Sequence, residues 1–191
     1  MKRFKALFRI LADLLFGFDF FISYSHSDGF QYPSRLTQSL EGLGFKVFLD
    51  SRVYVAGDDL KIATRRRIRM SKKLIIIARP EALGSYWVLR ELEECLQAGR
   101  TPIVIDVNQT IAKADPQSEI RQRLMDKLHI RESLGSLDAP PSEDTIAALV
   151  KSFDAMRQDT VRQRVVAAAA VVLAFLAAAA TWHTTIDRAW W

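Results

Sequence analysis

The stretch "LIIIA", Leu74–Ala78, constrains the fold more than any other part of the chain. It is apolar at every position, so it does not alternate as a strand with one wet face does. Its β-branched residues and short length suit a strand buried on both faces, the environment of a parallel sheet covered by helices on either side. Parallel strands need a crossover between them, usually a helix. The chain supplies this alternation. "FDFFISYS" and "FKVFLD" read as strands before "LIIIA", and "TPIVIDV" reads as one after it. Between them, "SRLTQSLEGLG" carries Leu36, Leu40 and Leu43 at helical spacing before Gly44. "LKIATRRRIRMSKK" reads as a helix with Ile62 and Ile68 inward. "SYWVLRELEECLQAG" is bounded by Ser85 as N-cap and Gly99 at its end. Strand–helix alternation at this spacing predicts an α/β fold with a parallel sheet between two helical layers, and in such sheets ligands bind beyond the carboxyl ends of the strands.

Beyond 108 the signal is weaker. "SEIRQRLMDKLHI" looks helical, "LHIRESL" is the place for a remnant fifth strand, and "LGSLDAPPSED" reads as a loop. A long helix follows, with a capping-box start at Ser142.

The charge is better located than counted. Of a net +5, Lys2, Arg3, Lys5 and Arg9 stand at the N-terminus, where apolar residues at 4, 7, 8, 11, 14, 15 and 18 follow helical spacing. Arg9 and Asp13 interrupt any signal-peptide core and no small-residue cleavage site follows. The reading is a basic amphipathic helix that lies on a membrane or packs on the domain. Arg65, Arg66, Arg67, Arg69, Lys72 and Lys73 form a second cluster. It has no interleaved aromatics, so it reads as a solvated helix face and nucleic acid is not expected as a partner. A third group, Arg157, Arg162 and Arg164, precedes the run 165–180, which has no polar side chain. The 18 residues 165–182 span about 27 Å as a helix, just enough for a hydrocarbon core of about 30 Å. Arginines before the span and Arg188 alone after it place the N-terminal domain in the cytoplasm, with Trp182, Trp190 and Trp191 at the far interface. The many alanines permit close helix–helix approach.

Several chemistries are excluded. One cysteine, Cys95, allows neither an intrachain disulfide nor a cysteine zinc site, and there is no metal-ligand cluster, nucleophile elbow, phosphate-binding P-loop or dinucleotide fingerprint. What remains is Trp87 and Glu91, four residues apart and therefore on one helix face. Taken alone, the pair is most simply a buried tryptophan beside a solvated glutamate. A carboxylate beside an aromatic ring also suits glycosidic cleavage through an oxocarbenium-like transition state. The nicotinamide of NAD+ leaves as a neutral molecule, so one carboxylate suffices there. Asp50 and Gly57, taken alone, are a strand-ending aspartate and a turn glycine.

Three ordered motifs, "FDFFISYSHSDG", "LEGLGFKVFLDSRVYVAG" and "SKKLIIIARPEALGSYWVLREL", make residues 18–157 resemble a Toll/interleukin-1 receptor (TIR) domain, with similarity to bacterial TIR NADases that carry a C-terminal transmembrane helix. The resemblance implies a flavodoxin-like three-layer fold with a parallel sheet of about five strands. It implies Glu91 as the catalytic carboxylate, with Trp87, Asp50, Gly57, Ser25 and His26 binding NAD+ as substrate, and no cofactor. Related enzymes often carry arginine just after the first strand, and charged residues in the loop where this chain has Val53 and Val55.

The expected organisation is an amphipathic helix over 1–17, a TIR domain over 18–157, a basic juxtamembrane segment over 158–164, a transmembrane helix over 165–182 and a tail over 183–191. The expected function is a single-pass inner-membrane NAD+ glycohydrolase or NAD+ cyclase acting in signalling or immune NAD+ depletion after self-association through the TIR domain and the span. The alternative is a TIR scaffold that signals by homotypic assembly without catalysis.

Overall fold

Five parallel strands form one sheet in the order β2-β1-β3-β4-β5 in the computed structural model, which describes residues 17–49 and 60–158 together with 166, 169 and 170. The strands are β1 (Phe18–Ser23), β2 (Val47–Leu49), β3 (Ser71–Ala78), β4 (Ile103–Val107) and β5 (His129–Glu132). β1 and β3 occupy the interior of the sheet, paired in register from Phe18↔Ser71 to Ser23↔Ile76. The absence of alternation in "LIIIA" is explained by this place: Leu74 to Ala78 are all buried, with helices over both faces.

Among the described residues five α-helices lie between these strands: α1 (Gln31–Gly42), α2 (Leu60–Met70), α3 (Tyr86–Gln97), α4 (Thr110–Lys113) and α5 (Glu119–Leu124). The chain moves one way from β1 to β2 and the other way for every later crossover. Right-handed crossovers therefore put α1 on one face and α2 to α5 on the other. On the second face one core joins Phe21, Leu74, Ile76 and Val104 of the sheet to Ile68, Val88, Leu92, Cys95, Ile111 and Leu124 of the helices. The alternate strand residues Phe20, Ile22, Ile75, Ile77 and Ile105 are buried too, as are Tyr32, Leu36 and Leu40 of α1.

By its internal contacts the chain divides into two units, Met1–Leu149 and Val150–Trp191. Residues 143–149 are helical in the first, and 150–158 in the second. Among the described residues no helix is long and apolar enough to cross a membrane. The expected span 165–182 lies outside those residues, apart from 166, 169 and 170, as does the expected N-terminal helix apart from Gly17.

Four expectations need correction. Ile62 is 64% exposed whereas Ile68 is 1% exposed. Six residues at about 100° each leave two side chains roughly 120° apart, so a single helix face cannot hold both. Ser71, Lys72 and Lys73 belong to β3 and not to the preceding helix. The Arg100 guanidinium donates to the carbonyls of Ile68 and Ser71, and the Ser71 hydroxyl to that of Arg67, which turns the chain from helix to strand at this point. The helical reading of 118–130 holds only for Glu119–Leu124. His129–Glu132 is a full fifth strand, paired with β4 from Val104↔His129 to Val107↔Glu132. The Asn108 side chain, on a residue with φ of 53°, donates to Leu134 O and accepts from Leu134 N, fixing the chain where it leaves β5. Finally, Ser142 caps its helix by accepting the Thr145 N–H at 3.2 Å, but the third helical position is Thr145, so the glutamate or glutamine half of a capping box is missing.

Candidate functional site

The N-terminus of α3 is set by Ser85, whose hydroxyl accepts the Val88 N–H at 3.4 Å. At its far end Gly99, with φ of +69°, takes the left-handed turn that ends the helix. From Ser85 the helical period turns Val88, Glu91, Leu92 and Cys95 inward. Glu91 is thus 2% exposed on the apolar stripe of α3. Trp87 is half-buried; its ring meets Tyr86 edge-on at 5.4 Å, and Tyr86 itself is 54% exposed. Thr64, Arg65 and Ile68 of α2 face Trp87, Arg90 and Glu94 of α3 across a recess of about 30 Å³. The simplest reading of the pair is therefore reversed, with the carboxylate inside and the ring partly outside. A carboxylate is costly to bury, and position 91 is one where packing alone favours an apolar residue.

Ser25 and His26 follow β1, the sheet neighbour of β3. Ser25 is 7% exposed, and its carbonyl accepts the Asp28 N–H at 3.0 Å across the 3-10 turn His26–Asp28. His26 is exposed and stacks on Tyr24, with centroids 4.9 Å apart and planes 11° apart. β1 and β3 flank the point where the strand order reverses, which is where open α/β sheets bind ligands. Ser25 and His26 stand at that carboxyl edge, and α3 starts from the same edge, with Glu91 about 8 Å along it. Asp50 and Gly57, with Val53 and Val55, lie outside the described residues.

A buried polar hub at this edge has no counterpart in the sequence reading. The Asp28 carboxylate accepts the N–H groups of Glu81 at 3.1 Å and Ala82 at 2.8 Å. Arg79, 2% exposed, donates to Asp28 O at 2.7 Å and to Leu137 O at 3.0 Å, and its guanidinium lies 4.9 Å from the Tyr32 ring centroid. The Tyr32 hydroxyl donates to Glu132 Oε2 at 3.1 Å, and the same oxygen accepts the N–H and hydroxyl of Ser142 at 3.1 and 3.2 Å. Burial raises the Asp28 carboxyl above its usual range, against the lowering effect of the two N–H groups and Arg79. Burial lowers Arg79, and burial with the neighbouring Glu132 carboxylate pushes Tyr32 up. The one signal in the sequence is a pair of charges beyond two apolar strands, Asp28 in the turn after β1 and Arg79 directly after β3.

A cavity of about 600 Å³ lies on another side of α3, between Leu83, Tyr86 and Leu89 and the α4–α5 segment, with Lys113, Ser118 and Ile120 among its walls. None of Ser25, His26, Trp87 and Glu91 lines it. The basic cluster is largely engaged within the fold: Arg65 and Arg69 reach Glu94 at 2.6 and 3.5 Å, Lys72 reaches Asp19 at 2.6 Å, and Arg67 lies over the Phe48 ring at 4.8 Å. Among the described residues no group of three or more histidine, cysteine or acidic side chains is placed to hold a metal.

A five-stranded parallel sheet of this order, reversing between β1 and β3, defines the flavodoxin-like class of α/β proteins. Within that class the chain belongs to the TIR-domain family, whose model matches residues 20–135. It is similar to the TIR domain of the Toll-related receptor TRR-2 from Hydra magnipapillata, with 18% identity over 60% of this chain and 83% of that one, at a TM-score of 0.47. The TIR domains of the activated Roq1 resistosome, which recognises the pathogen effector XopQ, are 17% identical over 56% of this chain and 68% of that one, at 0.47. A metazoan TIR-STING receptor from C. gigas is 19% identical over 58% of this chain, which spans 41% of that receptor, at 0.41. No curated protein matches the chain.

Proposed function

We propose that the chain is a membrane-anchored NAD+ glycohydrolase in which Glu91 stabilises the cation that develops on ribose as nicotinamide leaves. One observation carries the reading: the carboxylate at position 91 is buried on a helix face that is otherwise apolar, one turn from a half-exposed tryptophan. A negative charge held away from water acts strongly on a nearby developing positive charge. The Trp87 ring offers a flat face for the leaving heterocycle. Ser25 and His26 hold the nucleotide from the loop after β1, and Asp50 and Gly57 complete the substrate set in the segment after β2.

The chemistry needs no cofactor. Residues 165–182 anchor the domain to the cytoplasmic side of the inner membrane, and copies confined there associate through the TIR domain and the span. Loss of NAD+ on assembly is the immune output.

The test incubates membranes holding the full chain with NAD+ and follows nicotinamide release. Wild-type release that disappears in Glu91→Gln is the expected result. No release from wild type, even when the chain is clustered, overturns the enzyme and leaves the scaffold.

A further inference from the structure

Ser25 and His26 stand on one loop, and Trp87 and Glu91 follow another. The backbone ladder between β1 and β3 ends at Ser23↔Ile76. Beyond that pair the strands no longer fix one loop against the other. Asp28 and Arg79 take over at this point. Asp28, two residues after His26, holds the N–H groups of Glu81 and Ala82 at 3.1 and 2.8 Å. Those residues begin the 3-10 turn Ala82–Gly84, which leads directly into Ser85, the N-cap of α3. Arg79 reaches back from the end of β3 to Asp28 O at 2.7 Å. Three hydrogen bonds, all donated by the segment from Arg79 to Ala82 and all accepted by Asp28, two at its carboxylate and one at its carbonyl, therefore join the loop after β1 to the entry of α3. The second arm of the Arg79 fork holds Leu137 O at 3.0 Å, which fixes the guanidinium plane.

An apolar contact could close this gap without the expense of burying charge. It would tolerate sliding, whereas hydrogen bonds to fixed N–H and C=O groups do not. We propose that Asp28 and Arg79 are positioning residues: they set the register of the Ser25–His26 loop against the start of α3, and so keep the two halves of the nucleotide site in one geometry. The consequence for turnover rests on the reading of Glu91 as the NAD+-cleaving group. Neither residue touches the reacting atoms. Both act through the backbone segments that they join.

The experiment uses the full chain and two variants. Asp28→Asn keeps the shape but puts an NH2 where one N–H must be accepted. Arg79→Lys keeps the charge but loses the fork. Kinetics of NAD+ cleavage are taken per folded molecule, and hydrogen–deuterium exchange is followed over 24–28 and 80–86. The expected result is a KM for NAD+ raised about tenfold to a hundredfold, with kcat held within about threefold because Glu91 keeps its place in α3. Exchange should rise in both segments together. A merely structural role would lower the folded fraction and leave KM unchanged, and that result overturns the proposal. If Asp28→Asn does not fold, Arg79→Lys decides by the same readouts. If wild type releases no nicotinamide, the enzyme reading fails separately. The exchange data then decide the register clamp, which a joint rise supports and a rise in one segment alone overturns.

Discussion

Replacing Glu91 by glutamine separates the chemistry of this position from its packing. The side chain is 2% exposed, so the amide fills the same space among the same neighbours on the inner face of α3. Glutamine and glutamate have nearly equal helix propensity, so α3 itself is not perturbed. Desolvation favours the neutral amide over the buried carboxylate, and this effect taken alone leaves stability unchanged or raises it, by up to about 2 kcal/mol. For a chain of this size each kcal/mol moves the melting temperature by about 2–4 °C, so Tm should hold or rise by as much as about 8 °C. Catalysis moves the other way. Loss of a preorganised electrostatic group lowers the rate about 100- to 1000-fold, equivalent to roughly 2.7–4 kcal/mol of barrier. Thermal melting and nicotinamide release are measured on the same full-length preparations. A stable variant that cleaves NAD+ within about threefold of wild type refutes the catalytic assignment. A variant whose Tm falls by more than about 5 °C, with activity lost only in proportion to the unfolded fraction, shows that Glu91 is a structural acceptor.

Two isoleucines on one helix give a second test. Ile68→Ala removes a side chain 1% exposed in the core and should cost about 2–4 kcal/mol in urea unfolding, whereas Ile62→Ala, at 64% exposure, should stay within about 0.5 kcal/mol. Equal costs would place the core face of α2 wrongly. Cys95 is 1% exposed and burial pushes its thiol up, so an aromatic disulfide reagent should modify it on the order of a hundredfold more slowly in the native protein than in the unfolded chain; comparable rates would contradict its burial. Because burial raises the Asp28 carboxyl, the folded protein keeps a proton that the unfolded chain has released between the usual carboxylate value and the raised one. That contribution to stability is present at low pH and is lost as pH rises through the folded value. The difference in unfolding free energy between wild type and Asp28→Asn should therefore shift in favour of wild type from neutral pH towards about pH 4, and a flat difference counts against the buried carboxyl.

Local pattern determined much of this fold. The unbroken apolar run Leu74–Ala78 required burial on both faces, and β3 lies inside the sheet between β1 and β4. Ser85 and Gly99 marked the ends of α3 because caps are read over three or four residues, a distance the sequence itself displays. The sequence motifs likewise carried the TIR resemblance, which the match over 20–135 bears out. Other features depend on what lies opposite. His129–Glu132 has only four residues and little apolar content; it is a strand because β4 presents an open edge whose N–H and C=O groups pair with it. Helical spacing gave α2 a face without saying which arc meets the sheet, and the packing chose Ile68 over Ile62. The same choice turned Glu91 inward and left Trp87 half-buried, an arrangement that spacing four residues apart does not decide. In the hub of Asp28, Arg79, Tyr32, Glu132 and Ser142, the Asp28–Arg79 and Tyr32–Glu132 bonds join residues 51 and 100 positions apart. No local propensity encodes such contacts, because the partners meet only when the crossovers bring the carboxyl ends of β1, β3 and β5 to one edge of the sheet.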